Sequence, residues 1–350
     1  MSDVVLMVDG VRFEGWKEFS IERSIEQAAG AFRLVATERY PNSPKSWRLE
    51  NGMACKLLID GQQAIEGFVD TTDRAFDSSS RSVDLAGRDR TADLVDCCAD
   101  PVEYRNQTLD ALARKLAAPY GIDVVVTPGT KVGAAFARWA VEPGETIWDC
   151  IERAARQRAL LVITDGKGRL LITRPGVERF GGSLVEGVNV LSATFHADSS
   201  SRYHYYKALG QSNDERWDNA ASAAHLNAEV TDPSVRKPRK LVFSAEDLAD
   251  GVTVQQRAVW ERNVRRGRGM QISVTVQGLV DPRAGLWQPN QMIPVQLPSF
   301  GIDQELLIVG TAAQRGDDTK TEIRLAPRSA FELLPEKPDE QGTITPWGDS

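Results

Sequence analysis

At 350 residues the chain is too long for one small core and suits two or three domains of ordinary size. Its 41% hydrophobic and 26% charged residues argue against a disordered chain; no run approaches the roughly 18 apolar residues of a membrane span, and the start, MSDVVLMVDG, lacks the basic region and apolar core of a secretory leader. A net charge of −7 repels nucleic acid, and four cysteines (Cys55, Cys97, Cys98 and Cys150) with no CxxC spacing suggest neither a zinc knuckle nor a disulfide framework and fit a reducing folding compartment.

The first 87 residues alternate apolar and polar positions between turn residues. Val4, Leu6 and Val8, the pair Asp9-Gly10, then Val11 and Phe13 spell a hairpin. Further strands are expected at Phe19 to Ile21, Phe32 to Ala36, Cys55 to Ile59, Ile65 to Val69 and Ser82 to Ala86, a density that suits a small barrel or sandwich.

From about Arg88 to Arg174 the period changes. NQTLDALARKLAAPYG sets Leu109, Leu112, Ala113 and Leu116 on one helical face and ends near Pro119 and Gly121, and the strand IDVVV follows. ETIWDCIERAARQR places Ile147, Trp148, Ile151, Ala154 and Ala155 along a second face, before LLVIT, the turn Asp165-Gly166-Lys167-Gly168, and RLLIT. This reads as a compact α/β insert.

Strand text resumes at Val188 to His196 and Tyr203 to Gln211, followed by a polar stretch to Pro238 that reads as loop with one short helix. Ser244 with Asp247 resembles a capping box, Val252 to Arg266 is expected to be helical, and MQISVTVQ, MIPVQL, ELLIVG and TEIRLA supply four strands. PEKPDEQGTITPWGDS closes the chain as an extended tail.

The ends of the two β regions correspond. NGMACKLLID, AIEGFV, RSVDLA and Arg90-Thr91-Ala92 with Leu94 run in the same order as PNQMIPVQLP, ELLIVG, TEIRLA and Arg328-Ser329-Ala330 with Leu333. Any antiparallel meander gives part of this pattern; the sharper reading is a duplicated barrel. Three such chains around an axis would present about six similar units, so that a trimer mates with a hexamer.

Catalytic parts are sparse. His196, His204 and His225 are spread out, and there is no HExxH, GxSxG, P-loop or GxGxxG opening a helix, so no metal or other cofactor and no enzymatic activity is expected. Asp89, Asp93 and Asp96, with Asp70 and Asp73, offer carboxylate pairs for glycoside hydrolysis, but interleaving with Arg88 and Arg90 reads more simply as an ion-paired face. EPGETIWDCIERAARQRAL resembles the first half of a LysM glycan-binding repeat, with Trp148 as the exposed ring in that reading and a core residue otherwise. Arginines concentrate at Arg257, Arg262, Arg265, Arg266 and Arg268, with Arg236, Lys237, Arg239 and Lys240 upstream. They form a solvated helix face or a subunit contact. Trp16, Trp287, Phe300 and Trp347 lie near turns or strand ends and divide between core packing and interface anchoring, with Trp347 far from any local core. The interface candidates are Arg257, Arg262, Arg265, Arg266, Trp287 and Trp347.

At AGRDRTADLVDCC, NQTLDALARKLAAPYGI and GLWQPNQMIPVQLP the chain resembles the baseplate hub proteins of Mu-like phages, in similar order across nearly its whole length. The wider group takes in the hub of T4-like tails, the late control protein D of P2-like phages and the upper part of the type VI secretion spike. The resemblance implies a virion protein of the contractile tail baseplate, assembled in the host cytoplasm. It implies a homotrimer of two-barrel subunits joining the hexameric tail tube to the central membrane-piercing spike, with other baseplate proteins and the tape-measure protein in the lumen as neighbours. The expected fold is mainly β with an α/β insert. Its divisions are a first barrel (1–87), the insert (88–175), return strands completing the first barrel plus a polar connector (176–240), a second barrel (241–335) and the tail (336–350). A cell-wall glycan binder or tail-associated muralytic protein is the competing reading.

Overall fold

The computed structural model describes residues 3–37, 49–77, 81–209, 227–244 and 254–334. The hairpin forms as expected: Val4–Val8 pairs with Val11–Phe13, and the turn holds Asp9 at φ 49° and Gly10 at φ 77°, the left-handed pair that matches the twist of flanking strands. Val4–Val8 also pairs with Ala54–Ile59, which continues through Gln62–Phe76, Arg81–Asp89, Ala31–Thr37 and Glu18–Ser24. Alternation sends Leu6, Ile21, Leu34, Leu57, Ile65 and Leu85 into one core, each 2% exposed or less.

A second run repeats this order. Val190–Ala197 pairs with Met270–Gln277, then follow Thr319–Ala326, Ile302–Arg315 and Gln291–Leu297, with Leu184–Val185 on the last. Position for position, these six elements match Glu18–Ser24, Ala31–Thr37, Arg81–Asp89, Gln62–Phe76, Ala54–Ile59 and Val4–Val8. The final pairing is parallel in the second run and antiparallel in the first. Ile272, Val274, Ile293, Val295, Ile308 and Ile323 fill the second core.

Two expectations change. The strands form one continuous sheet with no closed barrel among the described residues, because Glu18–Ser24 pairs on its far side with Ile302–Arg315 and fuses the two runs. The strands after residue 176 do not complete the first run. Glu178–Arg179 and Leu184–Val185 pair with Gln291–Leu297, and Val190–Ala197 pairs with Met270–Gln277, so all three belong to the second. Alternation identifies a strand but not the strand beside it.

The α/β part is built from three helices and a three-stranded sheet, with a two-stranded ribbon beside them. The short helix α1 (Ala92–Asp96) leads into α2 (Leu109–Ala117) and α3 (Ile147–Arg156), which pack over Val124–Val126, Leu161–Thr164 and Leu170–Thr173. Leu109, Leu112, Ala113, Ile147, Ile151 and Ala154 are buried between them at helical spacing. Thr146 caps α3 by accepting from the Asp149 N–H at 3.0 Å. A ribbon of Glu103–Gln107 with Phe136–Ala140 was not anticipated: Glu103–Gln107 buries no residue fully, and Phe136–Ala140 buries Phe136 and Trp139, whose spacing of three is not that of a strand face.

The polar stretch also holds more order than expected. Asn227–Thr231 and Lys240–Ser244 flank Tyr205–Leu209 in a three-stranded sheet covered by α4 (Val254–Arg268), with Ala208, Ala228, Val230 and Ala258 at the contact. The short helix expected between Gln211 and Pro238, the Ser244–Asp247 box and the tail 336–350 fall wholly or partly outside the described residues.

Candidate assembly surfaces

The polar residues singled out by sequence do not converge. His196 is exposed on Val190–Ala197, His204 is buried with Nδ1 2.7 Å from the Val235 carbonyl, and His225 lies outside the described residues. Arg88 bridges two of the carboxylates, donating from Nε to Asp70 at 2.7 Å and from Nη2 to Asp96 at 2.6 Å. The ion-paired reading therefore holds for Asp70 and Asp96, whereas Asp89 of the same cluster is buried; among the described residues no group of three His, Cys, Asp or Glu is placed to hold a metal.

Asp89 is a buried hinge pin between the first run of strands and the α/β part. It accepts from Thr164 Oγ1 at 2.8 Å and from the Thr91 N–H and hydroxyl at 3.2 Å. Burial pushes its carboxyl up to about 6, against those hydrogen bonds. A carboxyl raised in the folded state favours folding below its unfolded value, and that contribution is lost as pH rises through about 6. Asp89→Asn should therefore gain on the parent between pH 4 and pH 7 by about 2–3 kcal/mol. Urea unfolding of both proteins at the two pH values measures this; parallel curves would show that the ionised carboxylate is compensated within the fold.

The arginine cluster lies on α4, and the structure divides it. Arg265 donates to Glu261 at 2.6 Å and to the Ser201 carbonyl at 3.2 Å, while Arg257 sits over the Trp260 ring at 4.4 Å and 3.7 Å from Glu261. Arg262 bonds Asn263 next to it. These three are half-buried, and Arg265 ties the helix to Ser201, whereas Arg266 and Arg268 are exposed. Trp287 is not a surface anchor: it is 2% exposed, stacks on Phe180 at 4.7 Å, and its carbonyl accepts from the buried Arg23. Its position just before Gln291–Leu297 puts it inside the second core, a placement that strand-end position alone does not distinguish. Trp148 packs half-buried on the α/β core, followed by the Leu161–Thr164 and Leu170–Thr173 hairpin where LysM has a second helix. Trp347 lies outside the described residues.

Two sheet edges were missed by the sequence reading. Val190–Ala197 is exposed along nearly its whole length, with Leu191 at 53% and Phe195 at 40%. The second half of Gln62–Phe76 is likewise open and ends on Phe76 at 84%. The first edge is largely apolar and the second is charged up to Ala75 and Phe76; unpaired strand edges of either kind are templates for further pairing.

Comparison with known proteins agrees with the topology. Residues 3–89 match the family described as Mu phage baseplate assembly protein GpP-like, N-terminal; residues 91–174 match baseplate hub protein gp44-like, second domain; residues 251–334 match Mu phage baseplate assembly protein GpP, fourth domain. The chain is 30% identical to the baseplate hub protein gp44 of Escherichia phage Mu over 348 residues, covering 97% of this chain and 91% of that one. Among solved structures it is similar to the 43 kDa tail protein of prophage MuSo2 from Shewanella oneidensis, at 31% identity and a TM-score of 0.78, covering 95% and 99% of the two chains. The tail protein from Neisseria meningitidis MC58 shares the fold at 24% identity and a TM-score of 0.76, with the same coverage.

Proposed function

Because the chain belongs to the family of Mu-like phage baseplate hub proteins and is a structural component of the tail baseplate, we propose that three copies form a ring that adapts the sixfold tail tube to a threefold membrane-piercing spike. The observation that carries this reading is the recurrence of six strand positions in the same order within one chain. Two like units per chain and three chains per ring give six like units, so one face repeats with the tube's symmetry while the ring as a whole keeps the spike's. The adaptor needs no active site and no cofactor.

In this arrangement each unit curls like a barrel around its own core, the first over 1–87 and the second over 241–335 together with the strands from Glu178 to Ala197. The α/β part, 88–175, sits at the rim. The exposed Arg266 and Arg268 of α4 suit carboxylate-bearing neighbours in a protein whose net charge is −7. The lumen takes the tape-measure protein during assembly in the host cytoplasm.

Light scattering of the purified chain, alone and mixed with its spike, tests the reading. The expected mass is three times 38.5 kDa, at the latest when the spike is present. A 38.5 kDa species in both samples overturns it.

A further inference from the structure

The seam that fuses the two units inside one chain has an open counterpart. Ile302–Arg315 is a long strand used twice on one side: its first half pairs with Gln291–Leu297 and its second half, from Gly310 to Arg315, pairs with Glu18–Ser24. Its equivalent, Gln62–Phe76, pairs with Ala54–Ile59 through its first half, but from Asp70 to Phe76 no described strand is paired on that side, although the Arg74 guanidinium donates to the Leu49 carbonyl at 2.7 Å. The equivalent of Glu18–Ser24 is Val190–Ala197, which pairs with Met270–Gln277 on one side and, apart from a single bridge from Val190 to Glu186, has no second partner among the described residues. The burial difference follows this. Ile21, inside the seam, is 2% exposed, whereas Phe195, at the matching position, is 40% exposed.

Resting on the ring reading above, we infer that the open half of Gln62–Phe76 pairs antiparallel with Val190–Ala197 of a second copy of this chain, repeating between subunits the seam formed within each. The register follows from irregularities shared by the two units. Both long strands carry one extra residue against the next strand, between Val69 and Thr71 and between Ile308 and Gly310, which aligns Thr71 with Gly310 and Phe76 with Arg315. The neighbouring pairs Val35–Asp84 and Thr275–Glu322 align Phe19 with Ala193 and Glu22 with His196. Within the chain Ala312 faces Glu22, Gln314 faces Ser20 and Arg315 faces Phe19.

Carried across, Asp73 faces His196 of the next copy, Ala75 faces Thr194, and Phe76 lies over Ala193. The pairing sets an acid opposite a base, covers the most exposed large apolar residue of the described chain, and continues the backbone ladder across two strand edges. Three seams within chains and three between them close the ring.

Cysteines placed in register test the seam in the full chain, with the exposed Cys98 replaced by serine. Directly opposite residues of an antiparallel pair have Cα atoms about 4.5–5.5 Å apart, inside disulfide range. Ala75→Cys with Thr194→Cys should give covalent dimer and trimer on mild oxidation, and Ala75→Cys with Leu191→Cys should give neither. A second pair of variants guards against local distortion. His196→Glu should weaken assembly about fivefold or more per seam, and adding Asp73→Lys should restore it. A trimer by light scattering that neither cross-links in register nor responds to the charge exchange overturns the seam and leaves the ring standing. A chain that stays monomeric overturns both.

Discussion

Gly67→Ala should cost about 3 kcal/mol or more of folding stability, at or above the upper end of what inserting a methyl into a packed interior usually costs. Gly67 lies where Gln62–Phe76 crosses from its partner Ala54–Ile59 toward its open half, opposite Asp89. A Cβ built there falls 1.8 Å from the Arg88 carbonyl oxygen and 2.8 Å from the carbonyl carbons of Arg88 and Asp89. These are backbone atoms held in a sheet, so no side-chain rotation relieves the overlap. The displaced strand also carries Asp89 and leads directly into α1, so the joint between sheet and α/β part should loosen with it. Gly61→Ala is the comparison: its φ of +75° imposes strain, but a Cβ there meets nothing within 4 Å, and its cost should stay near 1 kcal/mol. Urea midpoints of the two variants measure the difference. Equal costs would mean that the strands part at Gly67 without penalty.

That close approach is invisible in the sequence, where Gly67 and Gly61 look alike. What the sequence reveals is local. Asp9-Gly10 between alternating strands specifies its hairpin, and the spacing of Leu109, Leu112 and Leu116 specifies α2, because each signal is complete within a dozen residues. Partner choice is not local. Val190–Ala197 reads as a strand, but nothing in its side chains says that it lies beside Met270–Gln277 and not in the first unit. The same limit hides the open edges: Phe195 lies in a segment that reads as a strand, and its exposure is decided by which strand is missing from beside it. Asn227–Thr231 escaped notice because only Ala228 and Val230 turn inward from a polar segment. The repeat was legible because its signal is order. Three strands and an Arg-Thr-Ala or Arg-Ser-Ala cap recur, and the structure extends the correspondence to strands whose sequences show no likeness. Of the interface candidates, the arginines were legible as a helix face, while the role of Trp287 depended on Phe180, more than 100 residues earlier in the chain.

Arg153→Met should remove about 3–5 kcal/mol from the α/β part, the usual result of taking one partner from a buried ion pair. Arg153 donates from Nε and Nη2 to the two oxygens of Glu145 at 2.8 Å each, and from Nη2 to the Ala140 carbonyl at 3.1 Å, while its guanidinium covers the Trp139 ring at 4.3 Å. The side chains are only 13% and 8% exposed, so water cannot take over these bonds in the variant. Burial alone would raise the Glu145 carboxyl, but its hydrogen bonds from Arg153 outweigh that and hold it below the ordinary range. A depressed carboxyl contributes stability above its unfolded value and loses it as pH falls through its folded value, so the parent's advantage over Arg153→Met should shrink on acidification. Glu145→Gln combined with Arg153→Met should cost less than Arg153→Met alone, because no carboxylate is then left buried without its partner. The pair ties the ribbon strand Phe136–Ala140 to α3, so the loss should stay local. Amide exchange is expected to quicken across α3 and Phe136–Ala140 while the strands around Leu34 and Leu85 keep their protection. Loss of protection throughout the large sheet would instead make the α/β part and the sheet one cooperative unit, with Asp89 and Thr164 as the link that transmits it.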